Sequence, residues 1–566
     1  MQQIKNKIIS ALQKETKLKK EQIESLLETP PSQDLGDLSF PCFSLAKLYK
    51  KNPAEISQDI SSKLKNIPNI EKVESKGPYI NFFYNKQDLS STILKQVIKD
   101  KNYGKPKTKK QTVMIEYSSP NTNKPLHLGH LRNDSLGMSL NNILQFIGNK
   151  TIKTEVINDR GIHICKSMLA YKKWGKNKTP LSSKMKPDHF VGSFYVLFEK
   201  KLKQNPSLED EIQEMLEKWE SNDISVRALW KKMNSWVIKG MEETYKTFNS
   251  KFDLKTYESQ IYNKATNSIE KGKKSKIFQR NEKGDLTAQL EPDLPNKVVL
   301  RANGTSVYIT QDLALAEYRF KKYKLNKLIY IVASEQILHF KQLFKIFQLL
   351  KHPWHKNCYH LPYGLVNLPT GRMKTREGTI VDADNLISSQ IDLAKKEILS
   401  RNKSISNKEL LSRSKKIALA SIKYYLLKTD PIKDELFDPK KAIRFEGDTG
   451  PYIQYTITRC NSILKKSKNQ NLFTYEDVNN DEKNLIKIFS EFPDVINKAS
   501  LDLKPNHICN YAFNLATTFN SFYEKHRVLN ENNKELESFR ITITKATRSI
   551  LELCLNLLNI DSLKEM

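Results

Sequence analysis

The sequence predicts an α/β protein whose central domain is built on a parallel sheet, preceded by a small α+β unit and followed by an all-α region. A short apolar run from Thr112, a turn-rich segment, a helical pattern and a strand at 151–158 follow one another in the order of a parallel α/β unit. After about residue 395 almost every segment has helical spacing. The length of 566 residues, against about 100–200 for an ordinary domain, predicts at least three structural units.

The first unit, residues 1–105, is expected to combine helices with a strand. A basic opening helix is predicted from Ile4 to about Lys20, because Ile4, Ile8 and Leu12 share one face. The other elements predicted here are a helix at 42–50, a helix beginning near Asn52-Pro53 and a strand at 78–84. The polar stretch 101–110, with its five lysines, is predicted to be a linker.

The central unit is predicted to resume its strands after a long interruption. Residues from about 165 to 290 are rich in Lys and Glu with helical spacing, and they are interpreted as an insertion. Further strands are predicted at 298–300, 307–310 and 328–332. The polar break at 101–110 places the first domain limit near residue 105.

Charge is the most pronounced compositional feature. The chain has 94 Lys and Arg against 63 Asp and Glu, a formal net charge of +31, which favours nucleic acid first and a membrane surface second as the polyanionic partner. The alternative is a general bias toward lysine on solvated helix faces. The start MQQIKNKIIS has no apolar stretch, and no run of about 18 uncharged apolar residues follows, so we expect a cytoplasmic protein without membrane contact. Six widely spaced cysteines fit reduced thiols.

A first motif, His127-Leu-Gly-His130, follows a predicted strand and opens a predicted helix. The N-terminus of a helix offers free N–H groups and a positive dipole to phosphate. Two imidazoles three residues apart can face one side and donate to phosphate oxygens, and Gly129 permits close approach. The motif alone also fits a pair of surface histidines or a pair of metal ligands.

A second motif lies roughly 240 residues later, at 371–378, where two glycines bracket the basic segment Arg-Met-Lys-Thr-Arg. Such a loop can close over a polyphosphate and stabilise charge that develops in a transition state. By itself, it is more typical of a solvated basic turn.

Together the two motifs resemble those of a known family. His-Leu-Gly-His resembles the "HIGH" motif of class I aminoacyl-tRNA synthetases, and Arg-Met-Lys-Thr-Arg takes the place of their "KMSKS" loop. The flanking segments are similar to arginyl-tRNA synthetases, at 116–130 (EYSSPNTNKPLHLGH), 301–319 (RANGTSVYITQDLALAEYR), 334–340 (SEQILHF), 363–387 (YGLVNLPTGRMKTREGTIVDADNLI) and 445–459 (FEGDTGPYIQYTITR). The resemblance implies an α+β N-terminal tRNA-binding domain at 1–105, a Rossmann-type catalytic core with helical insertions at 106–440 and an all-α C-terminal anticodon-binding bundle at 441–566.

The resemblance also implies an activity. The expected enzyme is an arginine–tRNA ligase that uses ATP with Mg²⁺ to make arginyl-adenylate and then transfers arginine to the terminal adenosine of its tRNA, with tRNA bound before the first step. No structural metal and no obligate protein partner are expected, and a monomer is the default. The residues expected to catalyse the reaction are Lys124, His127, His130, Lys374 and Arg376. Those expected to bind ATP are His127, Gly129, His130, Met373 and Lys374.

The second motif departs from the family pattern. Lys374 stands where the family-wide motif has serine, and Thr375 stands where it has its second lysine. In arginyl enzymes that depart here, a lysine just before the first motif is thought to supply the missing charge. Lys124 occupies that place, although a surface lysine is the alternative.

Arginine as a substrate requires carboxylates, because a planar guanidinium with five donors pairs with them in bidentate geometry. Glu116 and Asp312 are the candidates, and Tyr308 shares a face with Asp312 if that stretch is helical. The resemblance assigns six residues to arginine binding: Glu116, Ser119, Asn121, Tyr308, Asp312 and Gln336. We expect citrulline to be rejected, since it would leave buried carboxylates unmatched, and lysine to lose several hydrogen bonds.

The C-terminal region offers candidates for tRNA contact. Tyr455 and Arg459 combine an aromatic ring with a guanidinium, which suits unpaired bases, although Tyr455 also fits a helix core. Tyr511 and Phe519 are expected in the core of a helical bundle, with Asn520 and Tyr523 exposed.

Three alternatives stay open at this point. His352, His355, Cys358 and His360 have nearly the spacing of zinc ligands, although the family has no zinc there. An inactive paralogue that binds RNA or senses arginine is disfavoured by the intact Glu116, Lys124, His127, His130 and Asp312. A synthetase for another amino acid is disfavoured by the Glu116 and Asp312 pair.

Overall fold

The structure is a computed structural model. It describes residues 2–100, 102–106, 108–262, 266–367, 369, 381–401, 403–467, 475, 477–529 and 532–566, with the backbone alone at 2, 3, 33, 86–91 and 266.

The N-terminal unit packs helices on a three-stranded antiparallel sheet. Its helices are α1 (Gln2–Thr16), α2 (Lys20–Leu26), α3 (Phe43–Tyr49), α4 (Pro53–Lys63) and α5 (Lys86–Lys99), and its strands are β1 (Leu38–Pro41), β2 (Ile70–Lys76) and β3 (Tyr79–Tyr84), in the order β1-β3-β2. The first helix ends earlier than the sequence predicts, because Lys17 adopts a φ of +57° that a right-handed helix cannot continue. The side chain of Asn52 caps α4 by accepting from the Ala54 N–H.

The central domain contains a five-stranded, wholly parallel sheet. The strands from here to the end of the chain are β4 (Thr112–Glu116), β5 (Lys150–Ile157), β6 (Leu254–Tyr257), β7 (Phe278–Arg280), β8 (Leu286–Ala288), β9 (Lys297–Leu300), β10 (Lys327–Ala333), β11 (Cys358–Tyr363), β12 (Val366–Asn367) and β13 (Glu435–Leu436). The main sheet has the order β11-β10-β4-β5-β6. The strands predicted at 78–84, 151–158, 298–300 and 328–332 are confirmed.

This strand order is that of a Rossmann fold, with the chain reversing direction along the sheet between β4 and β10. In such sheets, ligands bind at the carboxyl ends of the strands beside that reversal. The interpretation of 165–290 as a mere insertion is wrong in one respect: β6 lies inside it and forms the edge strand of the main sheet. Its four residues are too few to show an alternation of apolar and polar side chains, and the segments on both sides have helical spacing.

Helices cover both faces of the sheet and fill the insertion. They are α6 (Leu128–Phe146), α7 (Ile162–Trp174), α8 (Pro187–Leu202), α9 (Leu208–Glu220), α10 (Ile224–Phe248), α11 (Thr266–Lys274), α12 (Tyr308–Tyr323), α13 (Ile337–Leu349), α14 (Ala383–Arg401), α15 (Asn407–Leu427) and α16 (Pro439–Ala442). The strand predicted at 307–310 is wrong, because α12 begins there. Thr310 folds its hydroxyl back to accept from the Val307 N–H at 3.2 Å, which stabilises a helix start despite the β-branched residues.

The C-terminal region is a helical bundle of α17 (Gly450–Lys466), α18 (Asn480–Asp502), α19 (Asn506–Lys525) and α20 (Lys534–Leu557). Tyr511 and Phe519 are buried in its core, as predicted. The prediction that Asn520 is exposed is wrong: only 6% of it is accessible, because its amide bonds to Tyr452 and Thr456 on α17, whereas Tyr523 is 38% exposed.

The predicted linker is packed against this bundle. Tyr103 stacks on Phe492 with ring centroids 6.1 Å apart, and its hydroxyl donates to the Phe489 carbonyl at 2.7 Å. Thus, at least part of 101–110 is fixed to α18 rather than free. Among the residues with described structure, no helix is both long and apolar enough to cross a bilayer.

Candidate active site

Asn133 on α6 connects the strand ends that border the crevice between β4 and β10. Its Oδ1 accepts from the Ser118 N–H at 2.9 Å, and its Nδ2 donates to the Ile331 carbonyl at 3.0 Å and to the Tyr363 hydroxyl at 3.1 Å. One buried amide therefore joins β4, β10 and β11 at the point where ligands bind in such sheets.

The chain leaves β4 through a turn that fixes Ser119 and Asn121. Ser118 and Ser119 both have positive φ, +67° and +50°, a conformation that costs free energy for residues other than glycine. The Ser119 hydroxyl accepts from the Val156 N–H at 3.1 Å, and Asn121 pairs with Asn158 beyond the end of β5. Both predicted residues therefore line the carboxyl edge of the sheet.

His127 and His130 form a reciprocal cap at the start of α6. The Gly129 N–H donates to His127 Nδ1 at 3.2 Å, and the His127 N–H donates to His130 Nδ1 at 3.1 Å, with the ring centroids 3.9 Å apart. A nitrogen that accepts a hydrogen bond carries no proton in a neutral imidazole, so both rings carry theirs on Nε2. The pair thus offers two N–H donors at the positive end of a helix.

The electrostatics of this corner keep both imidazoles neutral. Burial and the nearby Lys124 ammonium lower the pKa of His127 to about 3, and burial together with His127 and Lys124 lowers the pKa of His130 well below its usual value. Burial lowers the pKa of Lys124 itself. Lys124, which is predicted to compensate for the altered second motif, is half-buried and close enough to both imidazoles to affect their pKa values.

Gly129 lies where a larger residue would disturb this cap. A Cβ at this position would be 3.1 Å from both Nδ1 and Cε1 of the His127 ring, which is tighter than an ordinary contact. The glycine therefore preserves the imidazole position, in addition to leaving space above it.

The segment after the second motif returns to the first. The Leu128 N–H donates to the Val381 carbonyl at 3.1 Å, and the Ala383 N–H donates to the Leu126 carbonyl at 3.0 Å. Met373, Lys374 and Arg376, the predicted residues of the second motif, lie outside the described residues.

The predicted guanidinium site contains ionisable groups besides Glu116 and Asp312. Glu116 is buried at the end of β4, and its Oε2 pairs with Arg319 of α12. Burial raises the pKa of Glu116, Arg319 opposes the shift, and nearby Asp312 adds to it. Asp312 Oδ2 in turn lies 2.8 Å from His339 Nε2. The two predicted carboxylates are therefore near each other, and each already has a partner.

Tyr308 and Gln336 lie on the two segments that carry Asp312 and His339. Tyr308 occupies the first turn of α12, one turn before Asp312, as predicted for a helix, and it is 65% exposed. Gln336 ends a single 3₁₀ turn directly after β10 and is exposed. Both side chains are accessible to a ligand at the carboxyl edge.

The four candidate zinc ligands engage separate partners. His352 Nε2 lies 2.9 Å from Glu317 Oε1, His355 Nδ1 lies 2.9 Å from the His352 carbonyl, and His360 Nε2 lies 2.9 Å from the Val332 carbonyl. Cys358 is buried, and burial raises the pKa of its thiol to about 12. This arrangement does not bring four ligands to one point.

In the C-terminal bundle, the two predicted tRNA contacts lie together. Arg459 donates to the Tyr455 hydroxyl at 3.1 Å and to Asn520 Oδ1 at 2.7 Å, and its guanidinium lies 4.9 Å from the Tyr455 ring centroid and 5.1 Å from that of Tyr523. A planar cation between two aromatic rings forms a stacking surface on α17 and α19.

Three residues of the site were missed by sequence reasoning: Arg319, His339 and Glu258. Arg319 follows Asp312 by seven residues, two helical turns, and this spacing was a usable signal. Glu258 follows β6, which lies inside the segment interpreted as an insertion.

A Rossmann sheet with a histidine-capped helix beside its point of reversal fits a class I aminoacyl-tRNA synthetase, and the match to family models establishes that class. Three family models match the chain: "tRNA synthetases class I (R), catalytic domain" at residues 92–439, "DALR anticodon binding domain" at 453–566 and "Arginyl tRNA synthetase N terminal domain" at 2–84. The chain belongs to the arginyl-tRNA synthetase, or arginine–tRNA ligase, family.

Relatives and solved structures agree with this membership. The arginine–tRNA ligase of Treponema denticola is 42% identical over 95% of this chain and 94% of its own length, and that of Borrelia hermsii is 41% identical over 100% and 99%. The arginyl-tRNA synthetase structure from Thermus thermophilus has a TM-score of 0.83 at 24% identity over 99% of both chains. That from Plasmodium falciparum has 0.78 at 23%, over 100% of this chain and 99% of its own. At these identities, the two structures describe the fold.

Proposed function

We propose that this chain joins L-arginine to its tRNA in two steps at the crevice between β4 and β10. The carboxylate of arginine attacks the α-phosphate of ATP, giving arginyl-adenylate and pyrophosphate, and a hydroxyl of the terminal adenosine of tRNA then takes the arginyl group and releases AMP. The observation that carries the proposal is that one edge of the sheet has both a pair of neutral imidazole N–H donors, at the start of α6, and the carboxylates of Glu116 and Asp312.

Positioning and charge stabilisation are sufficient for the phosphoryl step, so no covalent enzyme intermediate is needed. His127 and His130 would donate from Nε2 to phosphate oxygens, and their neutral state allows this without adding charge when ATP is absent. Lys124 would neutralise charge on the departing pyrophosphate, in place of the second lysine that the second motif lacks. Lys374 and Arg376 are proposed to act on the same group, and Met373 and Gly129 to contact the adenosine.

Recognition of arginine is assigned to the acidic side of the crevice. Glu116 and Asp312 would pair with the guanidinium, Tyr308 and Gln336 would border it, and Ser119 and Asn121 would hold the α-amino end. A neutral side chain such as that of citrulline would lose the charge-assisted hydrogen bonds to Glu116 and Asp312, which gives strong discrimination against it.

The remaining parts of the proposal concern the partners. Mg²⁺ would enter with ATP as part of the substrate, and tRNA would bind before arginine is activated. Tyr455 and Arg459 would contact the anticodon, and the proposed domain limits are those at 105 and 440. We also propose a monomer in the cytoplasm.

The test is arginine-dependent exchange of pyrophosphate into ATP, with and without the cognate tRNA. Exchange only when tRNA is present supports the proposal in full. Failure to exchange with tRNA present contradicts the activity, and exchange that ignores tRNA contradicts the order of binding.

A further inference from the structure

The first turn of α8 lies between the chain before the first motif and the segment after the second. One turn into this helix, a Cβ at Gly192 would lie 2.8 Å from the Pro125 Cδ and 3.5 Å from the Lys124 Cα, so the helix packs directly against the chain before the first motif. In the first turn itself, His189 faces residues 382–384. One end of α8 therefore contacts both segments that flank the imidazole pair.

His189 joins two carboxylates at the start of α14. Its Nε2 forms a hydrogen bond with Asp384 Oδ2 at 3.0 Å and lies 3.2 Å from Asp382 Oδ2. The other oxygen of Asp382 accepts from the Asn385 N–H at 3.0 Å, whereas Oδ2 has no hydrogen-bond partner in the described part of the chain. The contact between His189 and Asp382 is therefore electrostatic, and it is strongest when the imidazole is protonated.

Asp382 lies opposite His127, with which it forms an antiparallel bridge. Backbone hydrogen bonds of 3.1 Å and 3.0 Å join residues 126–128 to 381–383 on either side of this pair. A displacement of Asp382 would therefore move the backbone of His127, and with it the Nε2 donor of that imidazole.

Lys186, the residue before α8, completes the cluster. Its Nζ lies 2.7 Å from Asp384 Oδ2 and 3.2 Å from Asp188 Oδ2, and it donates to the Thr244 hydroxyl of α10. The two carboxylates and His189 are close enough to hold a metal ion. The Lys186 ammonium, however, already takes the place of a cation between them, so we interpret the cluster as an internal ion-pair network.

The charges of this cluster balance best when His189 carries a proton. The charged groups that face it are Lys186 and Asp188 at the start of α8 and Asp382 and Asp384 at the start of α14, so three carboxylates meet one fixed cation. The hydrogen bond with Asp384 raises the pKa of His189 above its usual value, and the charges of Asp382 and Asp188 add to this shift, which burial opposes. A protonated His189 thus supplies the second cation.

We propose that His189 is a positioning residue for ATP: by holding Asp382 and Asp384, it fixes the segment opposite His127 and thereby the phosphate-facing donor of that imidazole. This inference rests on the proposed function. His189 acts through the backbone pairing and does not touch the nucleotide. The effect on the reaction is expected to be large, because a misplacement of about 1 Å in a reacting site can cost about 100-fold in rate.

His507 provides a matched control in the C-terminal bundle. Its Nε2 lies 2.9 Å from Asp502 Oδ2, and its side chain is 21% exposed, against 26% for His189. Both residues are half-buried partners of an aspartate, but His507 pairs with a residue of the bundle and His189 with the segment opposite the first motif.

The experiment compares His189→Gln with His507→Gln in the full-length protein. Glutamine can still donate an N–H to Asp384, but it carries no charge. In His189→Gln we expect the Kd for ATP, measured by calorimetry, and the KM for ATP in tRNA-dependent pyrophosphate exchange to rise about 10-fold, and kcat to fall about 10- to 100-fold. The KM for arginine should not change, and His507→Gln should change none of these quantities.

The pH dependence gives a readout that a purely structural role would not move. The charge of His189 is present below its raised pKa and is lost as the pH rises through that value, which lies above 6.5. The ratio of kcat/KM for ATP between the wild type and His189→Gln should therefore be largest near pH 6.5 and fall as the pH increases. The same ratio for His507→Gln should stay constant.

A second variant tests the partner. Asp384→Asn should also raise the KM for ATP, and the double variant His189→Gln/Asp384→Asn should lose less than the product of the two single effects, because both changes break the same contact. Effects that multiply would show that the two residues act independently and would contradict the proposal.

Other outcomes would also overturn it. An unchanged Kd and KM for ATP in His189→Gln would do so, and so would a ratio to the wild type that does not vary with pH. An equal rise in the KM for arginine, or failure of His189→Gln to fold, would mark His189 as structural. These results differ from failure of the proposed function, in which the wild type itself would show no arginine-dependent exchange.

Discussion

The proton positions on His127 lead to a prediction that separates its two ring nitrogens. Nδ1 accepts from the Gly129 N–H at 3.2 Å, which leaves the Nε2 proton for a phosphate oxygen. In His127→Asn the amide group lies near the former Nδ1, so the cap is kept and the outer donor is lost. In His127→Gln the amide reaches the former Nε2 position, so the donor is kept and the cap is lost.

The magnitudes of the two losses differ enough to be measured. Removing a preorganised donor to transition-state charge costs about 100- to 1000-fold in kcat, or about 2.7–4 kcal/mol. Losing an N-terminal cap costs about 1 kcal/mol of stability with little effect on the chemistry. Arginine-dependent pyrophosphate exchange at saturating tRNA should therefore be far slower in His127→Asn than in His127→Gln, while thermal unfolding should show the opposite order of stability. Equal loss of exchange in both variants, or a more active Asn variant, would refute the assigned tautomer.

Four further outcomes are expected. The pKa of His127 is about 3 in the folded protein and 6.5 in its ordinary state, so the unfolded chain binds the proton first as pH falls and the folded protein loses stability. Between pH 6.5 and 3, the melting temperature should therefore drop less in His127→Asn than in the wild type. Lys124→Ala should lower activation by about 100-fold, with exposed Lys172→Ala as the control, and equal effects would contradict the compensating role. Arg459→Ala should weaken tRNA binding by about 1–3 kcal/mol in a filter-binding assay while exchange at saturating tRNA persists, and unchanged affinity would contradict the anticodon contact. The tRNA affinity should fall steeply with salt, and a flat response would attribute the net charge to compositional bias alone.

Much of the phosphate side of the site could be predicted from local spacing. A strand, a turn and a helix N-terminus with two histidines three residues apart are set by neighbouring residues, so sequence patterns are enough to find them. The prediction of a strand at 307–310 is wrong because it used local preferences alone. Val, Ile and Thr favour strands locally, but the Thr310 hydroxyl caps the helix start by accepting from the Val307 N–H.

The acidic side depended on long-range packing and was predicted less completely. Arg319 is 203 residues from Glu116, and Gln311 is 53 residues from Glu258, so neither pairing is visible in a local pattern. The resemblance to arginyl enzymes identified Glu116 and Asp312, but not Arg319, the cation of the protein that pairs with Glu116. The short strand before Glu258 was obscured by the helices around it.

The net charge of +31 and the acidic pocket act over different distances, and this explains how a basic protein can select a cationic amino acid. Surface lysines are screened within about 8 Å at physiological ionic strength, so they attract a polyanion but contribute little to the field inside a buried crevice. There, the sign of the field depends on the few groups in contact. Arg319 pairs with Glu116, His339 pairs with Asp312, and Gln311 donates to Glu258 at 3.1 Å. The binding energy of a cationic amino acid would therefore depend on these contacting groups more than on the overall charge of the chain.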